Sequence, residues 1–577
     1  MTVTAPLSEI SIPRRRVRPV RPEGIGWLVS VVAIAGCTIA PIAALVVLAL
    51  GPAEGIWSHL VATVLPRATG TTLMLLAGVG GLSIVIGVGT AWLVSMCAFP
   101  GRRIFNIVLL LPLAVPTYIV AYTYVEALDY SGPVQSTIRA VFGFRSARDY
   151  WFPDIRSLWG AILVMALVLY PYVYLTTRAM FLMQSACALD VSRTLGAGPW
   201  RLFFRVAVPL ARPAIAIGAA LTMMEALNDI GAVEFFGVRT LTFTVYDTWL
   251  NRGSLAGAAQ IAVALLGVVL ALIALERMAR RRQRYHLTTT RYRALPSFTL
   301  SGAKKYLAIA ACAAPVLLGF GVPALVLLDA ASRRLETLTR PEFTSAATNS
   351  LVLAAVAAAL TVGLGLLLAY AQRVRGSLLV RVLTRAGTIG YAIPGAVLAV
   401  GILIPTAALD NLIDGAMRNV FGISTGLLIS GSGFAIVYAY ATRFLTISFG
   451  SIETGLAKVS PSLDMAARTL GRGAFRTLGE VHLPLIRPIL LSAALLVFVD
   501  CMKELPATIL LRPFNFETLA TLVYGKASLE IFEDGAVAAL SIVVIGLIPV
   551  IVLANTGVLS FRNAKAAERG ATAAAAA

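Results

Sequence analysis

The segment Leu189-Asp190-Val191-Ser192-Arg193-Thr194-Leu195-Gly196-Ala197-Gly198-Pro199-Trp200, closing at Val208-Pro209-Leu210, returns further along the chain. Its second copy runs Met465-Ala466-Ala467-Arg468-Thr469-Leu470-Gly471 and closes at Leu483-Pro484-Leu485, an offset of 275 residues. Upstream, Gly70-Thr71-Thr72-Leu73 answers Thr348-Asn349-Ser350-Leu351 at an offset of 278, and there Gly87 meets Gly365, Trp92 meets Tyr370 and Pro116 meets Pro394. A three-residue difference in one loop accounts for the change of offset. The chain is therefore a tandem duplication, and each copy has to be a complete structural unit.

The units are apolar. Of 577 residues, 58% are hydrophobic and 13% charged, far from the balance of a soluble domain. Crossing a bilayer takes about 20 apolar residues in helix, and twelve runs qualify. The first six are Ile25–Leu50, Thr71–Cys97, Phe105–Glu126, Leu158–Phe181, Pro213–Phe235 and Leu255–Leu275. The second six are Tyr306–Ala330, Asn349–Ala371, Ala386–Ala408, Thr425–Phe449, Pro488–Leu511 and Gly535–Leu553. They are rich in Ala and Gly, which lets helix backbones approach where lipid supplies no hydrophobic drive between them. The expected fold is an all-α membrane protein, twelve transmembrane helices arranged as two six-helix repeats. An even number of spans per repeat inserts both halves the same way up, so the repeats are parallel.

The net charge of +20 does not point to nucleic acid, because the basic residues sit between apolar runs and not on a polar domain. They mark the cytoplasmic loops: Arg14, Arg15 and Arg16 before the first run, Arg102 and Arg103, Arg193 to Arg212, then a dense group between Arg277 and Lys305. Both termini are expected in the cytoplasm, and the first run stays attached as a signal anchor. The expected organisation is a basic arm over 1–24, a first half over 25–276, a basic linker over 277–305 that touches lipid phosphates, a second half over 306–556, and an Ala-rich tail over 557–577. Segments 131–156 and 332–345 are the longest polar excursions on the opposite face. Five cysteines (Cys37, Cys97, Cys187, Cys312, Cys501) stand one per segment and read as small core residues. His59, His286 and His482 are too dispersed for a metal cluster.

The two repeated loops, each a short amphipathic helix, a glycine turn, a second short helix and a proline opening the next span, resemble the EAA loop of binding-protein-dependent ABC importer permeases. The resemblance spans nearly all of residues 25–553 and implies a type I ABC importer permease. It implies that Asp190, Val191, Ser192, Leu195 and Gly196, with Met465, Ala466, Ala467, Leu470 and Gly471, form coupling helices that dock on two cytoplasmic ATPase subunits. A periplasmic substrate-binding protein is implied as the third partner. The copies depart from the family pattern: Asp190-Val191-Ser192 replaces Glu-Ala-Ala, and Met465 takes the acidic position with Asp464 one residue before it. A second stretch, Asp500-Cys501-Met502-Lys503-Glu504-Leu505-Pro506-Ala507-Thr508, resembles the signature of the ferric-iron branch. Iron follows from that resemblance alone; thiamine, polyamine, sulfate and phosphonate permeases share the architecture.

Glu225, Asp229, Asp500, Lys503 and Glu504 are the ionisable residues to place on the cargo path. Counted as continuous helix from Pro213, Glu225 and Asp229 stand about 18 and 24 Å up a core of roughly 30 Å, and Pro488 sets Asp500 and Glu504 at matching heights. Each carboxylate pair is spaced i, i+4, predicting one shared helix face, turned from lipid because a charge there is costly. Hard oxygen ligands suit a ferric ion, but a tight cage would hold it, so no tightly bound metal is expected. A salt bridge from Lys503 to Asp229 or Glu225, locking a gate, is the alternative reading. No catalytic constellation, cofactor site or phosphate loop appears: Gly525-Lys526 is followed by Ala527, with Ala520 where the leading glycine belongs. ATP must be hydrolysed by another chain. An ion-gradient-driven secondary transporter also builds ionisable residues into a repeat bundle, but has no use for two coupling loops.

Overall fold

The computed structural model describes residues 25–51, 55–183, 198–280 and 298–552. Eleven of its helices are long and apolar enough to cross a membrane, and a pair bent by 88°, Arg102–Ala114 with Thr117–Phe142, forms a twelfth, broken span. Six spans fall in each half, as the duplication requires. The only strands among the described residues are Cys97–Ala98 and Phe298–Thr299, paired in parallel where the chain returns from the linker to the end of the second span.

The shared glycines fall where helices touch. A Cβ on Gly87 would lie 2.7 Å from the Val173 Cβ and 2.9 Å from the Tyr174 backbone N, and one on Gly365 would lie 3.0 Å from the Phe449 N. In both halves, then, the second span crosses the fourth at a glycine. The halves also exchange elements. A Cβ on Gly401 would collide with the Pro41 carbonyl of helix Ile25–Ala49, and one on Gly319 with the Leu167 carbonyl. Each half's first span is thus packed against the other half, and the two units share one core.

The fifth spans contain the same local defect. Five-residue π turns, Phe203–Ala207 and Leu478–His482, sit immediately before Pro209 and Pro484. Proline has no N–H for the carbonyl four residues back, and the wider turn accommodates that loss.

Several boundaries differ from the sequence expectation. Helix Leu255–Arg280 continues into the expected linker, and the next helix opens at Ala303. The expected span Thr425–Phe449 is instead helix Phe434–Ala457. The residues before it are held in turns by carboxylates: Asp410 accepts from the N–H groups of Ile429 (2.7 Å) and Ser430 (2.8 Å), and Asp414 from Thr425 N (2.8 Å). Cys97, Cys312 and Cys501 are buried as expected, whereas Cys37 is exposed on its helix. On the rim away from the second coupling segment, helix Pro133–Phe142 packs beneath a loop that Asp149 closes by accepting from Arg145 N (2.7 Å) and Ser146 N (2.8 Å). Those donors hold the Asp149 carboxyl below the usual carboxylate range.

Candidate functional site

Two kinds of helix break converge at the centre of the bundle. The third span of each half stops at a proline in extended conformation, Pro116 (ψ 142°) and Pro394 (ψ 140°), and restarts as helices Thr117–Leu128 and Gly395–Phe421. The fifth span of each half ends at Asn228 and Met502 and restarts as the short helices Gly231–Phe235 and Pro506–Leu511. Every restart leaves backbone N–H groups without helical acceptors, and in a membrane these need internal partners.

At the fifth-span restarts the acidic residues provide them. Asp229 accepts from Ala232 N at 2.8 Å and from the Thr117 hydroxyl. Its counterpart Glu504 accepts from Ala507 N (3.0 Å), Thr508 N (3.2 Å) and the Thr508 hydroxyl (2.8 Å). This corrects the expectation that Glu225 with Asp229, and Asp500 with Glu504, share one helix face: the helix breaks between the members of each pair. Asp229 and Glu504 cap the restarted helices, while Glu225 and Asp500 remain on the preceding ones. Lys503 pairs with Asp500 at 2.8 Å, not with Asp229 or Glu225.

The cluster ties the halves together. Glu225 accepts from the Tyr391 hydroxyl at 2.6 Å, and Asn228 Oδ1 accepts from Gly395 N at 2.6 Å and from Arg443 Nη1 at 2.9 Å. Arg443 also pairs with Glu504 at 3.2 Å, and both side chains are almost wholly buried. A cavity of about 90 Å³ lies among these groups, which present four carboxylates against the two cations Arg443 and Lys503. Among the described residues no three His, Cys, Asp or Glu side chains stand close enough to hold a metal ion. Arg443 and Tyr391 were missed from sequence. A lone arginine inside an apolar run such as Phe434–Ala457 was the available signal, because a lipid-facing guanidinium is so costly that it must have an internal partner.

Of the coupling residues, Asp190, Val191, Ser192, Leu195 and Gly196 lie outside the described residues. The second segment is helix Pro461–Thr469, a turn at Gly471 with φ +74°, and helix Ala474–Thr477. Met465, Ala466 and Leu470 are exposed and Ala467 is buried. Asp464 does not replace the missing surface acid. It turns inward to Arg373 (2.7 Å), with His482 Nε2 2.9 Å away without hydrogen-bond geometry. Trp200 and Phe475, equivalent at the 275 offset, are 75% and 72% exposed and give each copy an apolar outward face.

A bundle of two six-span halves, with helix breaks at its centre and an exposed glycine-turn segment in the second half, fits the permease architecture that the repeated loops imply. Residues 83–285 match the family of binding-protein-dependent transport system inner membrane components. The chain is 26% identical to the Fe(3+)-transport system permease protein FbpB 2 of Haemophilus influenzae over 83% of its own length and 88% of that protein's. It is 23% identical to the ferric transport system permease protein FbpB of Actinobacillus pleuropneumoniae over 84% of this chain and 70% of that one. The molybdenum transport system permease protein ModB of Escherichia coli K12 matches at 29% identity, over 33% of this chain and 82% of ModB. The chain is a multi-pass inner-membrane permease of the ABC class, built as two fused halves, and is not itself an enzyme.

Proposed function

We propose that this chain is the permease of an ATP-driven importer for ferric iron, handed over by a periplasmic binding protein. The observation that carries the reading is the acid-rich cluster at the meeting of four broken helices. It lies between the halves, where alternating access needs its gate, and its carboxylate excess suits a cation and opposes an oxyanion. The relatives named for iron support the cargo, since they align with both halves, whereas the molybdenum permease aligns with one.

Two ATPase subunits engage the segments around Gly196 and Gly471, one per half, through the exposed apolar faces that include Trp200 and Phe475. Both termini and the basic linker lie in the cytoplasm, the linker against lipid phosphates. The binding protein sits on segments 131–156 and 332–345 at the opposite rim. The chain carries no cofactor of its own.

Glu225 and Asp500 line the path, Lys503 pairs with Asp500, and Asp229 and Glu504 hold the helices that frame it. The double variant Glu225→Gln with Asp500→Asn is expected to assemble with its ATPase normally and to lose iron uptake by more than about tenfold, since both neutral amides keep the shape and remove the charge. Uptake at the wild-type rate would remove these two carboxylates from the path.

A further inference from the structure

Helices Leu241–Leu250 and Leu519–Ser528 are equivalent at the offset of 278 and are built alike. Each opens on a threonine cap, Thr240 accepting from Phe243 N (3.3 Å) and Thr518 from Thr521 N (3.3 Å). The first N–H of each donates to a hydroxyl on the second span of its own half, Leu241 to Thr72 (2.9 Å) and Leu519 to Ser350 (2.7 Å). Thr72 and Ser350 are one offset apart as well. The second coupling segment leads into the start of helix Leu483–Met502, whereas Leu519–Ser528 follows its other end. This pair of helices therefore lies at the end of the bundle opposite the coupling face.

Tyr246 and Tyr524 are also 278 positions apart, and their hydroxyl oxygens stand 3.3 Å from each other. Two equivalent atoms can touch only beside the axis that relates the halves. The central cavity is on that axis too, because equivalent residues of both halves line it, Glu225 with Asp500 and Asn228 with Lys503. A solute moving along the axis from the outer end to the cavity therefore has to part the two phenols. Tyr524 is buried, and its hydroxyl donates to the carboxylate of Glu234 on helix Gly231–Phe235. The residue at that place in the second half, at the offset of 275, is Ile509. A single carboxylate of the first half thus holds a phenol of the second across the closed pair.

We propose that Tyr246, Tyr524 and Glu234 form the outer gate of the permease, shut in this structure, with Glu234 as its lock. The gate opens when Glu234 releases the Tyr524 hydroxyl and the two short helices separate, each still tied to its own second span through Thr72 or Ser350. A hydrogen bond from a neutral hydroxyl to a carboxylate suits a lock. It is stronger than a bond between neutral groups, and it breaks and re-forms without moving a proton or a net charge. The barrier stands in the way of any solute on the axis, so it rests on the permease class and not on the identity of the cargo.

The test is the accessibility of the central cavity from outside. Leu113 lines that cavity, and Leu113→Cys reports on it in a chain whose exposed Cys37 is replaced by serine. A charged, membrane-impermeant methanethiosulfonate is added to right-side-out vesicles that hold the full chain with its ATPase and no ATP. The resting gate should protect the introduced thiol. Tyr524→Phe is expected to speed its labelling roughly tenfold to a hundredfold, the range for a lost hydrogen bond to a charged group. Glu234→Gln should speed it less, because an amide oxygen still accepts. Cys97 and Cys312, buried in a separate cluster, should stay unlabelled in every variant, since they react only when the fold loosens. Equal labelling of the Leu113→Cys thiol in parent and variants would overturn the gate and leave the iron reading standing. Labelling of Cys97 and Cys312 that rises in step with it would overturn the gate as well, because the phenols would then hold the fold and not a barrier.

Discussion

Glu504→Ala is expected to lower the stability of the detergent-solubilised protein by about 3–5 kcal/mol, the usual consequence of removing one member of a buried ion pair. Arg443 would keep its charge at 5% exposure with, among the described residues, the Asn228 carbonyl oxygen at 2.9 Å as its remaining acceptor. The N–H groups of Ala507 and Thr508 would lose their acceptor as well, adding about 1 kcal/mol. Little monodisperse protein should be recovered, and its unfolding midpoint should fall. Replacing both partners, Arg443→Met with Glu504→Met, should restore much of the stability, because two apolar groups of similar length leave no stranded charge. A single variant as stable as the wild type would contradict the buried pair.

Gly471→Val should act in the opposite way, leaving the fold intact and removing the coupling. Gly471 has φ +74°, a conformation that costs an L-residue about 1–2 kcal/mol and a β-branched one more. No atom lies within 4 Å of where its Cβ would stand, so the bundle itself is not disturbed. The turn would relax toward negative φ and swing helix Pro461–Thr469 away from the ATPase. The expected result is normal membrane insertion and thermal stability, weaker capture of the ATPase subunit, and ATP-dependent uptake reduced by more than about tenfold, since coupling needs a docked knob and not merely a folded one. Normal uptake would show that this turn is not the coupling element.

The duplication and the span count were legible because both are written in long apolar periods, and Gly87 and Gly365 mark the same crossing in each half. The helix breaks were harder to see. Apolar residues run on past Asp229 through Ile230, Ala232 and Val233, so hydropathy shows one span where the backbone makes two pieces. Pro506, two residues after Glu504, was the readable start signal, with the acid before it as the cap. Reading these acids as members of a continuous helix gave them the wrong neighbours. The partners that define the site, Arg443 and Tyr391, come from distant segments, and no local pattern pairs a residue with one 61 positions away, as Arg443 is from Glu504, or 166, as Tyr391 is from Glu225. The boundary near 425–433 was missed for a related reason: Asp410 and Asp414 hold that turn from the preceding helix.

Initial rates of radioactive ferric iron uptake into proteoliposomes test the central claim most directly, comparing the purified chain alone with the chain plus its ATPase and iron-loaded binding protein. Uptake is expected only when ATP and both partners are present, with none from the chain alone under any proton or sodium gradient. Gradient-driven iron uptake by the chain alone would contradict the account and make it a secondary transporter.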